Sequence, residues 1–275
     1  MARFSEQDYR EMPPELLRAI IREHTHHRLE EPVYRWIHEG KAPPPGLGEG
    51  IRQLLNIWTE RGLPEDGADL TWTRRLLTLA GELNAGAHPS LKTRAIRPFS
   101  RTERRAAEKL IFTRRSVRRW SNKAVPSALI EKVIEAGLWA PHACNLQTLR
   151  FLVVQDQEGL ALFKKSEITG GNVRIVVCQD LRPYQSTAGV PEHNRLLDCG
   201  AAVQNMLLMA HALGLGAVWL TFSEPQVKQL RAHYQLPDYI AIQTYLALGW
   251  PAESPLRPGR LTVADVVLNP RGNKD

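Results

Sequence analysis

The chain has 275 residues, a net charge of +7, 43% hydrophobic and 24% charged residues. Those proportions exclude a disordered acidic chain, and the length fits one large domain or two small ones. Three cysteines, Cys144, Cys178 and Cys199, show neither metal-ligand spacing nor a disulfide framework, so buried thiols in a reducing, cytoplasmic setting are expected.

Residues 1 to about 100 read as a small α-helical region. Its first residues carry no apolar signal core. Pro13-Pro14 opens a helix over 15–27, where proline is tolerated in the first turn, and Leu16, Leu17, Ile20 and Ile21 give it an apolar face. His24, His26 and His27 form a partly exposed cluster; no further ligand completes a set, so no metal is expected. A connector follows at 41–50, with Gly46, Gly48 and Gly50 after three prolines. These glycines mimic part of a dinucleotide fingerprint, but a proline run stands where that fingerprint needs a strand. Two more helices are predicted: 50–61, with Ile51, Leu54, Leu55 and Trp58 inward, and 71–83, with Trp72, Leu76, Leu77 and Leu79. The basic stretch 92–105 reads as the linker into a second part, 101–275.

The second part begins with a charged amphipathic helix over 101–112. Four arginines then fall within six residues: Arg114, Arg115, Arg118 and Arg119. A guanidinium is a fixed charge with a planar fork of donors, suited to bidentate capture of phosphate. From Lys92 to Arg119 eleven basic residues face two acids, a local excess that favours one anionic ligand over a uniform polyanion-coating surface. A helix is predicted over 127–138, a strand over 151–155, and a central strand over 174–179 because Ile175, Val176, Val177 and Cys178 are all apolar. Residues 181–195 lack an apolar period and contain Pro183, Gly189 and Pro191; a loop or short mobile helix is expected, of the kind that shapes substrate sites. A buried helix over 196–213 and a buried strand over 217–221 follow. Residues 201–222 carry no formal charge, but Gln204, Asn205, His211, Gly214 and Gly216 argue against a membrane span. Ser223 as N-cap and Pro225 at the first position start a helix over 224–234. The last clear strand is 240–248, and the tail runs through Arg260 to 261–268.

Several of these stretches recur together in one family. Arg114-Arg115-Ser116-Val117-Arg118, then a helix, then Ala140-Pro141-His142-Ala143-Cys144-Asn145-Leu146-Gln147 before a strand, form the first pair. The run from Asp198 to Ala210, then Leu213-Gly-Leu-Gly, Leu248-Gly-Trp-Pro and Arg260, complete the set. Across residues 106–270 the chain resembles the FMN-dependent nitroreductase superfamily. The resemblance implies an α+β fold, a mixed sheet flanked by helices, in an intertwined homodimer with FMN at each of two equivalent interfaces.

By that resemblance Arg114, Ser116 and Arg260 match positions on the phosphate or ribityl chain, and Arg118 the cation beside the flavin pyrimidine edge. Arg115 faces either phosphate or solvent. Pro141, His142, Ala143, Asn145 and Gln147 match the segment against the partner's flavin. Leu220, Thr221 and Phe222 match the segment whose backbone N–H points at N5. The sequence departs from the pattern at His142, where serine is usual, and at Thr148-Leu149, which replace Pro-Trp. His142 is a candidate proton donor to substrate, and Cys144 is read as packing. Asp198 is expected to begin the long helix as an N-cap or first-turn acid, with Gly200, Ala201 and Ala202 allowing close packing at a dimer interface. The implied reaction is ping-pong: NADH or NADPH reduces FMN, and a nitroaromatic, quinone or activated-alkene acceptor reoxidises it. Reductive dehalogenation and flavin breakdown to dimethylbenzimidazole are alternatives on the same fold. A nucleic-acid-binding role for the basic run is disfavoured, since the interleaved aromatics of a stacking surface are absent.

Overall fold

The computed structural model describes residues 4–91, 97–163, 168–186 and 190–268. Residues 92–96, the start of the basic linker, and 187–189, part of the expected substrate loop, lie outside these.

The N-terminal helices are α1 (Glu6–Glu11), α2 (Pro14–Thr25), α3 (Glu31–Glu39), α4 (Glu49–Glu60) and α5 (Ala68–Asn84). A capping box between Ser5 and Asp8 starts α1, and Pro14 opens α2 without sacrificing a bonded N–H. The predicted inward faces hold: Leu16, Leu17, Ile20, Ile21, Ile51, Leu54, Leu55 and Trp58 are buried. On α5 the buried positions are Leu70, Thr73, Leu76, Leu77, Ala80 and Leu83, with Trp72 and Leu79 only packed at the edge. The sequence reading stopped the first helix at residue 27, whereas the chain continues through a π-helical turn, His26–Glu30, directly into α3. Pro32 lies in the first turn of α3, where its missing N–H is tolerated, so the proline that looks like a helix stop is a restart. These helices share one hydrophobic core of their own.

The remaining chain contributes α6 (Arg101–Thr113), α7 (Ser127–Leu138), β1 (Leu149–Val154), α8 (Gln157–Ala161), β2 (Val173–Asp180), α9 (Glu192–Ala212), β3 (Gly216–Leu220), α10 (Glu224–His233), β4 (Ile240–Gly249) and α11 (Val263–Val266). The four strands form an antiparallel sheet in the order β1-β2-β4-β3. All strand pairs are antiparallel, where a mixed sheet was expected; among the described residues parallel pairing is confined to isolated bridges, one of them Ser116 to Ala217 beside β3. Every residue of β2 is buried, as the apolar run predicted. One face, with Val173, Ile175, Val177, Leu246 and Leu248, packs on α7 and α9 through Val133, Ala202, Val203 and Met206. The other carries an aromatic group in which Phe222 and Phe163 lie 4.6 and 5.0 Å from Tyr245.

Two expectations change here. α9 starts at Glu192 behind Pro191, four residues before the predicted start, and takes up the end of the expected loop; residues 182–186 form a short 3₁₀ turn. Asp198 is therefore not a helix cap: it is buried in the second turn of α9.

Candidate functional site

The segment after α6 is held in place by a set of local constraints. A capping box of Ser100 and Glu103 starts α6, and Thr113 at its end bonds His211 Nε2 near the end of α9 (2.8 Å). The Val117 N–H donates to the Ala217 carbonyl, laying the arginine segment beside β3. Gly216 permits that approach, since a Cβ there would sit 2.8 Å from Val117. Trp120, buried against Gly249, donates through Nε1 to the Gly216 carbonyl (2.9 Å). The Glu253 carboxylate accepts from the Arg118 and Arg119 N–H groups at 2.6 and 3.2 Å, fixing the far end.

The result is a cleft of about 570 Å³ lined by Arg114, Arg115, Ser116, Arg118, Arg257 and Arg260, with Phe112 and Pro255 among its walls. Five guanidinium groups and one hydroxyl thus converge from segments some 140 positions apart. Arg114 carries the telling detail: its Nη1 is buried and has no hydrogen-bond acceptor among the described residues. Burial, then the charges of Arg115 and Arg260, pull its pKa below the ordinary arginine value. A crowded cation with an unsatisfied donor lacks an anion, and a phosphate fits that need. Arg115 is differently employed. Its Nη1 donates to the carbonyls of Phe112 and Arg114, closing the end of α6 while the group borders the cleft. Arg257 was missed by the sequence reading; its only signal was a position three residues before Arg260 in an otherwise unpatterned tail.

Arg118 lies towards the Gly216 end of β3, since its N–H reaches Glu253 and Trp120, two residues on, lies against Gly216 and Gly249; Leu220 and Thr221 are at the other end of that strand. Thr221 follows the last residue of β3 and is exposed. Phe222 packs into the aromatic group on Tyr245.

Pro141, His142, Ala143, Asn145 and Gln147 form a second cluster that does not line the arginine cleft. A 3₁₀ turn spans Ala143–Asn145, and Cys144, Asn145 and Gln147 have φ of 52°, 51° and 52°. Left-handed backbone at non-glycine residues costs of order 1–3 kcal/mol each and persists only where the surroundings over-determine it. Two partners do so. Asp198 Oδ1 accepts the Ala143 N–H at 3.0 Å, and Arg22 of α2 donates to the Leu146 carbonyl at 2.9 Å. Asp198 is thus a loop anchor, and burial raises its pKa above the usual carboxylate value. His142 Nε2 is buried without a partner among the described residues, and burial lowers its pKa, leaving a neutral imidazole at neutral pH. Cys178 and Cys199 are buried thiols, pushed up to about 12 by burial; Cys144, expected buried, is half-exposed.

The arginine segment touches α9 at His211, through Thr113, and the 141–147 loop at Asp198, about 20 Å apart along the helix at its usual rise. Among the described residues no group of His, Cys, Asp and Glu is arranged to hold a metal, and no helix is long and apolar enough to cross a membrane.

An antiparallel sheet packed between helices, with an arginine cradle laid along its edge, defines an α+β protein with a built anion site. The Nitroreductase family model matches residues 111–183 and 162–250, and the chain belongs to that family. It is 35% identical over 152 residues to a putative NADH dehydrogenase/NAD(P)H nitroreductase of Archaeoglobus fulgidus, covering 53% of this chain and 85% of that one. Among solved structures it resembles a putative NADH dehydrogenase/NAD(P)H nitroreductase from Parabacteroides distasonis (TM-score 0.53, 28% identity, 60% and 98% of the two chains). A putative nitroreductase in complex with FMN from Desulfovibrio desulfuricans is similar too (TM-score 0.52, 34% identity, 59% and 95%). The family match begins at residue 111, so the N-terminal helices lie outside it.

Proposed function

We propose that the protein is a flavin-dependent oxidoreductase that binds FMN with its phosphate in the arginine cleft and uses NADH or NADPH as donor. The observation that carries this is the buried, acceptor-less Nη1 of Arg114 among Ser116, Arg118, Arg257 and Arg260. Arg114, Ser116 and Arg260 hold the phosphate. Arg118, its backbone fixed by Glu253, presents a second cation in the same cleft, where it favours a reduced, negatively charged ring. The Thr221 backbone N–H, just past the end of β3, orients the reacting edge in this reading. When bound, FMN supplies the redox chemistry, passing hydride or electrons through N5 from NAD(P)H to a nitroaromatic, quinone or activated-alkene acceptor.

The loop 141–147 serves the flavin of a second copy, and the functional unit is a homodimer. Support comes from the separation of the two clusters and from apolar side chains left exposed near them: Phe112 and Leu256 by the cleft, Trp139, Leu196 and Leu197 by the loop. On α9 the outward residues are Leu197 and Gln204, with Leu208 half-buried, whereas Ala201 and Ala202 are used by the protomer's own core. His142, neutral and apolar-flanked, acts here as a ring contact and hydrogen-bond partner. Residues 1–100 are a separate helical domain with its own core, joined to a flavin domain over 101–275, and three free thiols fit a cytoplasmic setting.

The test is a visible spectrum of the purified protein, followed by anaerobic titration with NADH and NADPH. A yellow protein that bleaches on reduction and recovers with a quinone or nitroaromatic is expected. A colourless protein that takes up no added FMN at millimolar excess refutes the reading.

A further inference from the structure

The helices before residue 100 reach the flavin domain where its backbone is most strained. Leu146 sits between two left-handed residues, Asn145 and Gln147, with its side chain buried. Its carbonyl accepts from Arg22 Nη2, while Arg22 Nη1 donates to Asp69 on α5 at 3.0 Å. Asp69 is in turn gripped by Arg18 through two bonds of 2.9 and 2.6 Å, so the Arg22 guanidinium is aimed before it meets the loop. Only a planar fork can make both bonds at that spacing. A second tie runs parallel: Glu15 on α2 pairs with Arg182 at 3.4 Å, and Arg182 grips the buried Asp180 at the end of β2.

We infer that Arg22, oriented by Asp69, is a positioning residue for the loop 144–147, so that the N-terminal helical domain sets the geometry of the surface offered to the flavin ring. This rests on the flavin reading for its consequence, but the clamp itself is a property of the flavin-free chain. A simple domain-gluing contact needs no carbonyl flanked by left-handed residues; a pre-organised binding loop does.

The experiment compares wild type, Arg22→Met, Arg22→Lys and a control, Thr73→Val. The control breaks the buried Thr25–Thr73 hydrogen bond and the Thr73 hydroxyl's bond to the Asp69 carbonyl, but leaves the Asp69 carboxylate and the guanidinium groups of Arg18 and Arg22 in place. In flavin-free protein, hydrogen exchange of the Asn145 and Leu146 amides is expected to speed up about tenfold in Arg22→Met and not in Thr73→Val. With flavin, Arg22→Met is expected to weaken FMN and riboflavin alike by about tenfold and to alter the visible circular dichroism of the bound ring. Arg22→Lys, a donor without the fork, falls between and remains informative if Arg22→Met does not fold. Unchanged loop exchange in the Arg22 variants, or an equal effect of Thr73→Val, overturns the clamp. A wild-type protein that takes up no flavin overturns the ring-positioning role together with the flavin reading, whatever the exchange data show.

Discussion

Replacing Arg114 by methionine separates a ligand-binding cation from a structural one. Arg114 Nη1 has no acceptor among the described residues, and its neighbours Arg115 and Arg260 repel it. Methionine keeps the apolar stem and removes the charge. The flavin-free protein therefore loses no hydrogen bond from that atom, and its stability is expected to stay within about 1 kcal/mol of wild type. FMN loses one charge-assisted contact worth roughly 2 kcal/mol, a ~30-fold rise in Kd. Arg115→Met should behave in the opposite way. It breaks the bonds to the Phe112 and Arg114 carbonyls, lowering apo stability by about 1 kcal/mol while changing FMN affinity little. The assay is fluorescence titration with FMN and with riboflavin, beside chemical unfolding of the apo forms. Riboflavin has no phosphate, so Arg114→Met should leave its affinity unchanged. Equal losses for the two flavins, or an apo protein destabilised by more than 2 kcal/mol, would refute the assignment of Arg114 to the phosphate.

Other perturbations follow from the same geometry. Burial, then the charges of Arg28 and His27, hold the pKa of His24 near 4, so the unfolded chain binds the proton first. Stability is therefore present above pH 6.5 and lost as pH falls towards 4, by roughly 3 kcal/mol; denaturant melts across that window should flatten in His24→Gln. Asp69 titrates in a separate window: burial opposes, but hydrogen bonds from Arg18 and Arg22 outweigh it and hold the carboxyl at about 2. Its contribution, about 2 kcal/mol, is present above pH 3.8 and lost towards pH 2, and Asp69→Asn should remove that limb. Gly216→Ala puts a Cβ 2.8 Å from Val117 and must push the arginine segment off β3, so FMN affinity should fall severalfold, by the same titration. Leu197→Glu charges the exposed stripe of α9; sedimentation should show monomers that also bind flavin poorly, and an intact, yellow dimer would count against that interface.

Much of this molecule is written in local pattern. Pro13-Pro14, the apolar spacing of α2 and α4, Ser100 with Glu103, and the unbroken apolar run of β2 each specify an element through backbone and near-neighbour effects that need no distant partner. The arginine run was legible for the same reason: charge density is visible without a fold. The predicted helix end at residue 27 was not legible in the same way, because the chain runs on through a π-helical turn and Pro32 falls in the first turn of α3, where its missing N–H is tolerated. Tertiary structure alone decided that Arg257 joins Arg114 in one cleft, that Asp198 anchors a loop instead of capping a helix, and that Arg22 reaches the Leu146 carbonyl. Each of those brings together groups more than fifty positions apart in the chain. Such a pairing leaves no period, cap or spacing in the chain, because it is selected by where packed helices and strands bring the two groups, and only then by their charge.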